Sequence, residues 1–130
     1  MIEMVIVILI MGIIAAVTAP RLFDTASRAE KNSTRQQLAI LRNALEMYRA
    51  QEGGYPTVAN ISTRLVPYFN GPLPVPQYGT ARGKVGFVDG GNDPTAPMTT
   101  DVNADAGWAY RPADGRIVLN VANTDEAFDW

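Results

Sequence analysis

The chain has 130 residues and a mass of 14.1 kDa, enough for one core, and it contains neither Cys nor His. Those absences exclude a disulfide framework, a zinc–thiolate site and a Cys nucleophile, and they remove the usual base near neutral pH and the commonest metal ligand. A net charge of -2 and a pI near 5.0 oppose nucleic-acid binding by phosphate neutralisation.

Hydrophobic residues make up 47% of the chain, yet the mean hydropathy is only -0.03, so the apolar residues must be concentrated somewhere. They are concentrated at the start, where thirteen large apolar side chains fall within the first 17 residues. Met4 to Ala19 reads MVIVILIMGIIAAVTA, without a charge, and Met1 and Ile2 extend the run past a single acid, Glu3. A helix over residues 1–19 would span roughly 28 Å, close to the ~30 Å hydrocarbon core of a bilayer. It would be apolar all round, and such a helix has to be covered on every side, by lipid or by other helices. At about 1.5–3 kcal/mol per large side chain, leaving thirteen exposed would cost tens of kcal/mol. The remaining 110 or so residues are too few to wrap it, so the segment needs lipid or copies of itself. Val17-Thr18-Ala19 resembles a signal-peptide cleavage site. However, no Lys or Arg precedes the run, Glu3 stands there instead, and Pro20 would directly follow the cut, so the segment reads as an anchor.

Residues 21–52 contain no Pro or Gly, and Leu38, Leu41, Leu45 and Tyr48 form an amphipathic stripe. Arg21, Arg28, Arg35, Arg42 and Arg49 recur every seven residues and line one slowly drifting face. That face is either solvated or a contact for acidic surfaces of neighbouring subunits. Asp24 with Arg28 and Arg42 with Glu46 are expected i, i+4 pairs, the first in the better orientation. Gly53-Gly54 supplies a helix stop, with Pro56 just beyond. Within the long helix Pro20 predicts a kink and Gly12 a local weakening, which makes residues 12–20 its softest stretch.

The five prolines Pro56, Pro67, Pro72, Pro74 and Pro76 mark residues 53–83 as a connecting loop, with Tyr55, Leu65, Tyr68 and Phe69 as core or hinge contacts. Lys84–Asp89 reads as a strand with Gly86 as a bulge. Trp108–Arg111 and Arg116–Val121 read as a hairpin around Pro112-Ala113-Asp114-Gly115. The expected fold class is α+β: a long N-terminal helix with an apolar first half and an amphipathic second half, packed on a small antiparallel sheet. The expected division is an apolar helix over 1–20 and a head over 21–130, the head comprising helix 21–52, loop 53–83, sheet 84–121 and tail 122–130. In the tail, Phe128 and Trp130 offer an anchor, with three acids beside them. Asp101, Asn103 and Asp105 place oxygen ligands at alternate positions, a spacing used by calcium loops. Ala106 stands where an EF-hand has Gly, and no Glu occupies the twelfth position, so a solvated turn is the competing reading. Asp101, Asp105 and Asp114 come without any pocket-forming motif, and no catalytic residue is assigned.

MIEMVIVILIMGIIAAVTAP resembles the mature N-terminus of type IV pilins and type II secretion pseudopilins, which carry one Glu near the helix start followed by a Gly and then a Pro. LRNALEMYRAQEGGYPT resembles the helix end and Tyr-Pro-Thr turn common in pseudopilins and minimal bacterial pilins. Together these cover roughly the first 57 residues. Family members usually carry two further residues before the Leu/Met-Ile-Glu, which aligns Met1 with the family's third mature position, so the family's N-terminal methylation is not assigned to Met1. The resemblance implies a pilin-like fold and a subunit of a helical filament built on packed N-terminal helices, with Glu3, Gly12 and Pro20 as assembly residues. Glu3 would face the α-amino group of a neighbouring copy and set the register. The implied partners are other copies of the chain, an inner-membrane assembly machinery, and the membrane before assembly. The implied location is the bacterial inner membrane, then a periplasmic or cell-surface filament used in adhesion, motility or protein secretion. Some pseudopilins hold calcium in C-terminal loops, which makes calcium the one cofactor to consider at Asp101, Asn103 and Asp105. The alternative is a membrane-anchored extracytoplasmic binding module.

Overall fold

One helix carries the chain from Ile2 to Glu52 in the computed structural model, which describes residues Met1–Trp130. This helix, α1, has 51 residues and is therefore about 77 Å long. It ends where expected. Gly53 takes φ 78°, and its N–H donates to the Arg49 carbonyl at 2.9 Å, a left-handed cap that glycine adopts without a Cβ penalty. The helix runs on through Gly12 and Pro20. Pro20 cannot donate to the carbonyl four residues back, and nearby the Thr18 hydroxyl donates to the Ile14 carbonyl at 2.9 Å.

Burial divides α1 into two lengths. Every residue from Met1 to Ala29 is exposed, whereas Thr34, Leu38, Leu41, Ala44 and Leu45 are buried under the head. The head's sheet consists of β1 (Phe87–Asp89), β2 (Trp108–Arg111) and β3 (Arg116–Leu119), in that spatial order. β2 and β3 form the expected antiparallel hairpin, Trp108 opposite Leu119 and Arg111 opposite Arg116. β1 corrects the expectation of an antiparallel sheet: it pairs parallel to β2, Phe87 beside Trp108, so the sheet is mixed. Residues 90–107 lie between them, longer than the dozen or so residues a parallel return needs. Both outer strands are shorter than the sequence suggests. Gly86, at φ 121°, turns the chain before β1 begins, and Asn120 leaves β3 to bond the preceding loop.

β3 is the strand that packs on α1, and β1 is the edge farthest from it. Leu38, Leu41 and Leu45 join Trp108, Tyr110 and Ile117 in one core. Polar atoms of that core are paired: Trp108 Nε1 donates to the Pro74 carbonyl at 2.9 Å and the Tyr110 hydroxyl to the Pro56 carbonyl at 2.8 Å. Residues 53–83 are not loop throughout. Ile61–Leu65 forms a short helix, α2, which runs into a 3₁₀ turn over Val66–Tyr68. Ile61 and Leu65 lie one turn apart and are both fully buried, and Pro67 sits where a first helical turn tolerates proline. The tail closes as a 3₁₀ turn over Glu126–Asp129, capped by Asp125, with Phe128 buried. The Trp130 ring lies 5.4 Å from Tyr78 and beneath the Arg35 guanidinium at 4.4 Å, so the tail is anchored on its own molecule.

Candidate functional site

The most unusual surface is the first half of α1. All thirteen large apolar side chains within residues 1–17 are exposed, and an 18-residue window of the helix has a mean hydropathy of 2.7 with none of it buried. Length and composition suffice to cross a bilayer. Glu3 is the acid of the first turn, where the helix dipole favours a negative charge. At Gly12 nothing lies within 4 Å of where a Cβ would sit, so its missing side chain leaves an uncovered notch. The structure places Glu3, Gly12 and Pro20 on this bare length, away from the head.

The arginine row separates along the helix. Seven residues at 100° each fall about 20° short of two turns, so a seven-residue row slowly rotates around the axis. Toward the C-terminal end the row reaches the head. Arg42 donates to the Ile117 carbonyl at 2.8 Å and to the Trp130 carbonyl at 2.6 Å, tying β3 and the tail to α1. Burial, with Arg116 nearby, pulls its guanidinium below the ordinary value. Arg49 donates to the Tyr55 hydroxyl at 3.0 Å and lies 3.6 Å from Glu46. Arg35 covers Trp130. Arg21 and Arg28 lie on the exposed length of α1 ahead of the head and form no ion pair. The expected Asp24–Arg28 and Arg42–Glu46 pairs do not form. Arg42 turns to carbonyls, and Glu46 instead accepts from Tyr55 at 2.8 Å. Lys31 pairs with Glu126, and Glu30 with Arg82 at 2.9 Å, so helix and head are also stitched by charge.

Asp101, Asn103 and Asp105 lie in the return from β1 to β2. Asp101 accepts from the Asn103 N–H at 3.0 Å, the local turn bond of the competing reading, and Asp105 makes no internal bond. Asn120, buried, holds this loop by accepting from the Asp101 N–H at 2.9 Å and donating to the Asp101 and Ala106 carbonyls. No group of three or more Asp, Glu, His or Cys side chains gathers at a spacing suited to a metal ion.

A second cluster lies outside the sequence expectations. Arg111 is 1% exposed, yet fully satisfied. Its Nε and Nη2 donate to the two Asp114 oxygens at 3.0 and 2.6 Å, and Nη1 donates to the Asp93 and Ala96 carbonyls at 2.7 and 2.8 Å. The hydrogen bonds from Arg111 hold the Asp114 carboxyl below its ordinary value despite partial burial. The Arg-x-x-Asp spacing across the hairpin turn was the available signal. An open cleft of about 710 Å³ beside the C-terminal end of α1 is lined mainly by polar side chains, including Gln51, Glu52, Asn60 and Arg64.

Residues 21–72 match the family model described as "Type II secretion system (T2SS), protein G". The chain is 33% identical over 57 residues to the type II secretion system core protein G of Aeromonas hydrophila, covering 44% of this chain and 40% of that protein. The protein of the same name from Escherichia coli (strain K12) is 33% identical over 57 residues, covering 44% and 39%. That from Vibrio cholerae serotype O1 is 32% identical over 57 residues, with the same shares. The alignments thus span about two fifths of the curated relatives' own length. No solved structure matches the chain. The similarity to type II secretion pseudopilins read from the sequence is therefore shown over the amphipathic half of α1 and the turn after it.

Proposed function

We propose that the chain is a structural subunit of a type II secretion pseudopilus, a helical filament whose axis is a bundle of the apolar halves of α1. One observation carries this reading: thirteen large apolar side chains within residues 1–17 stand exposed on the half of α1 that the head leaves bare. The names of the relatives supply the secretion context, and the bare helix supplies the mode of assembly. Before assembly the segment rests in the inner membrane. Moving from lipid into a helix bundle keeps its surface away from water, so packing and charge pairing rather than a new hydrophobic gain decide the transfer. Glu3 is the charge available for that role. Opposite the α-amino group of a neighbour, a buried carboxylate is compensated, and a copy docked at the wrong height leaves both charges unpaired. No catalytic role is assigned.

The test is production of the full chain in a bacterium with an active type II secretion system, followed by shearing and electron microscopy. Filaments containing the chain are expected. A chain that stays dispersed in the membrane while the system secretes would overturn the reading and favour an anchored binding module.

A further inference from the structure

We infer that the charge-free side of the head-bearing half of α1 seats the apolar half of another copy's α1. The inference rests on the filament reading and names the surface by which one copy covers the bare helix of the next. Residues 21–52 contain ten charged side chains. At 100° per residue, all ten fall within about half of the helix circumference, bounded by Glu30 and Arg21. The same half holds Thr34, Leu38, Leu41 and Leu45, which face the core. The other half carries no charge anywhere along residues 21–52. Leu22, Ala29, Gln36, Ile40, Asn43 and Met47 run along its middle within an arc of about 60°, and all six are exposed. A helix on a water-facing surface has the reverse arrangement, with its charges opposite the core. Ile40 and Met47, two turns apart, remain 49% and 48% exposed although the head is packed on the same helix.

Continuity, length and charge name the occupant. The stripe runs without a break into the bare apolar half of the same helix, the surface on which the filament is built. A helical filament displaces successive copies along its axis, so the apolar half of one copy comes beside the head-bearing half of another. From Leu22 to Met47 the stripe is about 38 Å long, enough to seat the roughly 28 Å rod of residues 1–19. That rod has one charged side chain, Glu3, at its end. Laid on the charged half of α1 it would bury guanidinium and carboxylate groups without partners, whereas the stripe presents none. Gly12, Ala15 and Ala19 give the rod a slender side that lets helix axes approach closely. Heads then stand outward, and the charged half of α1 stays with them.

A photoreactive p-benzoylphenylalanine in place of Ile40 reads the neighbour directly in sheared, irradiated filaments. Trypsin leaves position 40 in the peptide 36–42 and the apolar half in the peptide 1–21. The expected adduct joins these two. Within one chain, position 40 stands about 28 Å from residue 21 along the same helix, beyond the reach of the probe. Such an adduct therefore arises only between copies. In parallel, Ile40→Glu/Met47→Glu should lose sheared filaments, and Ile40→Gln/Met47→Gln, of the same size without the charge, should keep them. Neither pair should move the head's thermal transition, because both side chains lie outside the core. Wild-type filament yield from the Glu pair would overturn the contact and leave the filament reading standing. So would photoreactive filaments in which the peptide 36–42 is joined to a head peptide, to lipid, to another protein or to nothing. No filaments from the unaltered chain would overturn both.

Discussion

Arg111 shows how a charged residue can be structural in a head this small. A buried guanidinium is costly unless every donor finds an acceptor, and here a bidentate carboxylate and loop carbonyls supply them. It joins the hairpin turn to residues 93–96, the start of the return from β1 to β2. Replacing it by Met leaves those carbonyls and a partly buried carboxylate without a partner, an expected loss of about 2–3 kcal/mol. Urea midpoints of the full chain in detergent would measure it, and an unchanged midpoint would show the pair to be dispensable. The pH dependence follows from the same pair. Asp114 titrates below its ordinary value of about 3.8 in the folded chain. Its contribution is therefore fully present above that value and is lost as pH falls through the lower folded value. Asp114→Asn should flatten the acid limb of stability below about pH 4, whereas the exposed Lys31–Glu126 pair should respond chiefly to salt. From the sequence, Asp114 was legible only as a turn residue, because which carbonyls meet Arg111 depends on a segment fifteen or more positions away.

Elements were more legible than their partners. The length of α1, its glycine stop and the hairpin around residues 112–115 follow from periodicity and turn chemistry, which are local. The parallel placing of β1 was not legible, since alternation shows that a strand exists but not which neighbour it joins. α2 was hidden by the prolines around it, although Ile61 and Leu65 already carried the one-turn spacing. Within α1 the two lengths should respond differently to the same kind of change. Leu41 is fully buried, and Leu41→Ala should cost the head about 2–5 kcal/mol. Ile8 is exposed, so Ile8→Ala should leave the head's thermal transition unchanged and weaken only what surrounds the helix. Circular dichroism of the full chain in micelles would separate the two, and a head destabilised by Ile8→Ala would mean that the bare helix folds back on it.

At the scale of the molecule, the head can be satisfied alone and the helix cannot. Exposing the thirteen apolar side chains to water would cost on the order of 20–40 kcal/mol, more than the net stability of a typical domain. Lipid and a bundle of like helices both remove that cost, so hydrophobicity cannot decide between them or fix the height at which copies dock. A single charge can. In lipid, Glu3 is at the end of the apolar stretch and can reach the headgroups, whereas in a bundle it is enclosed and must meet an opposite charge. Glu3→Ala removes the penalty for misregister and also the reward for correct register. The expected result is a chain that still enters the membrane, melts at the same temperature through its head, and yields few or no filaments in a secreting cell. Quantitative shearing of the variant beside the wild type would measure this. Filaments of normal yield and length would show that apolar packing alone sets the register and that Glu3 is merely a favourable charge at a helix start.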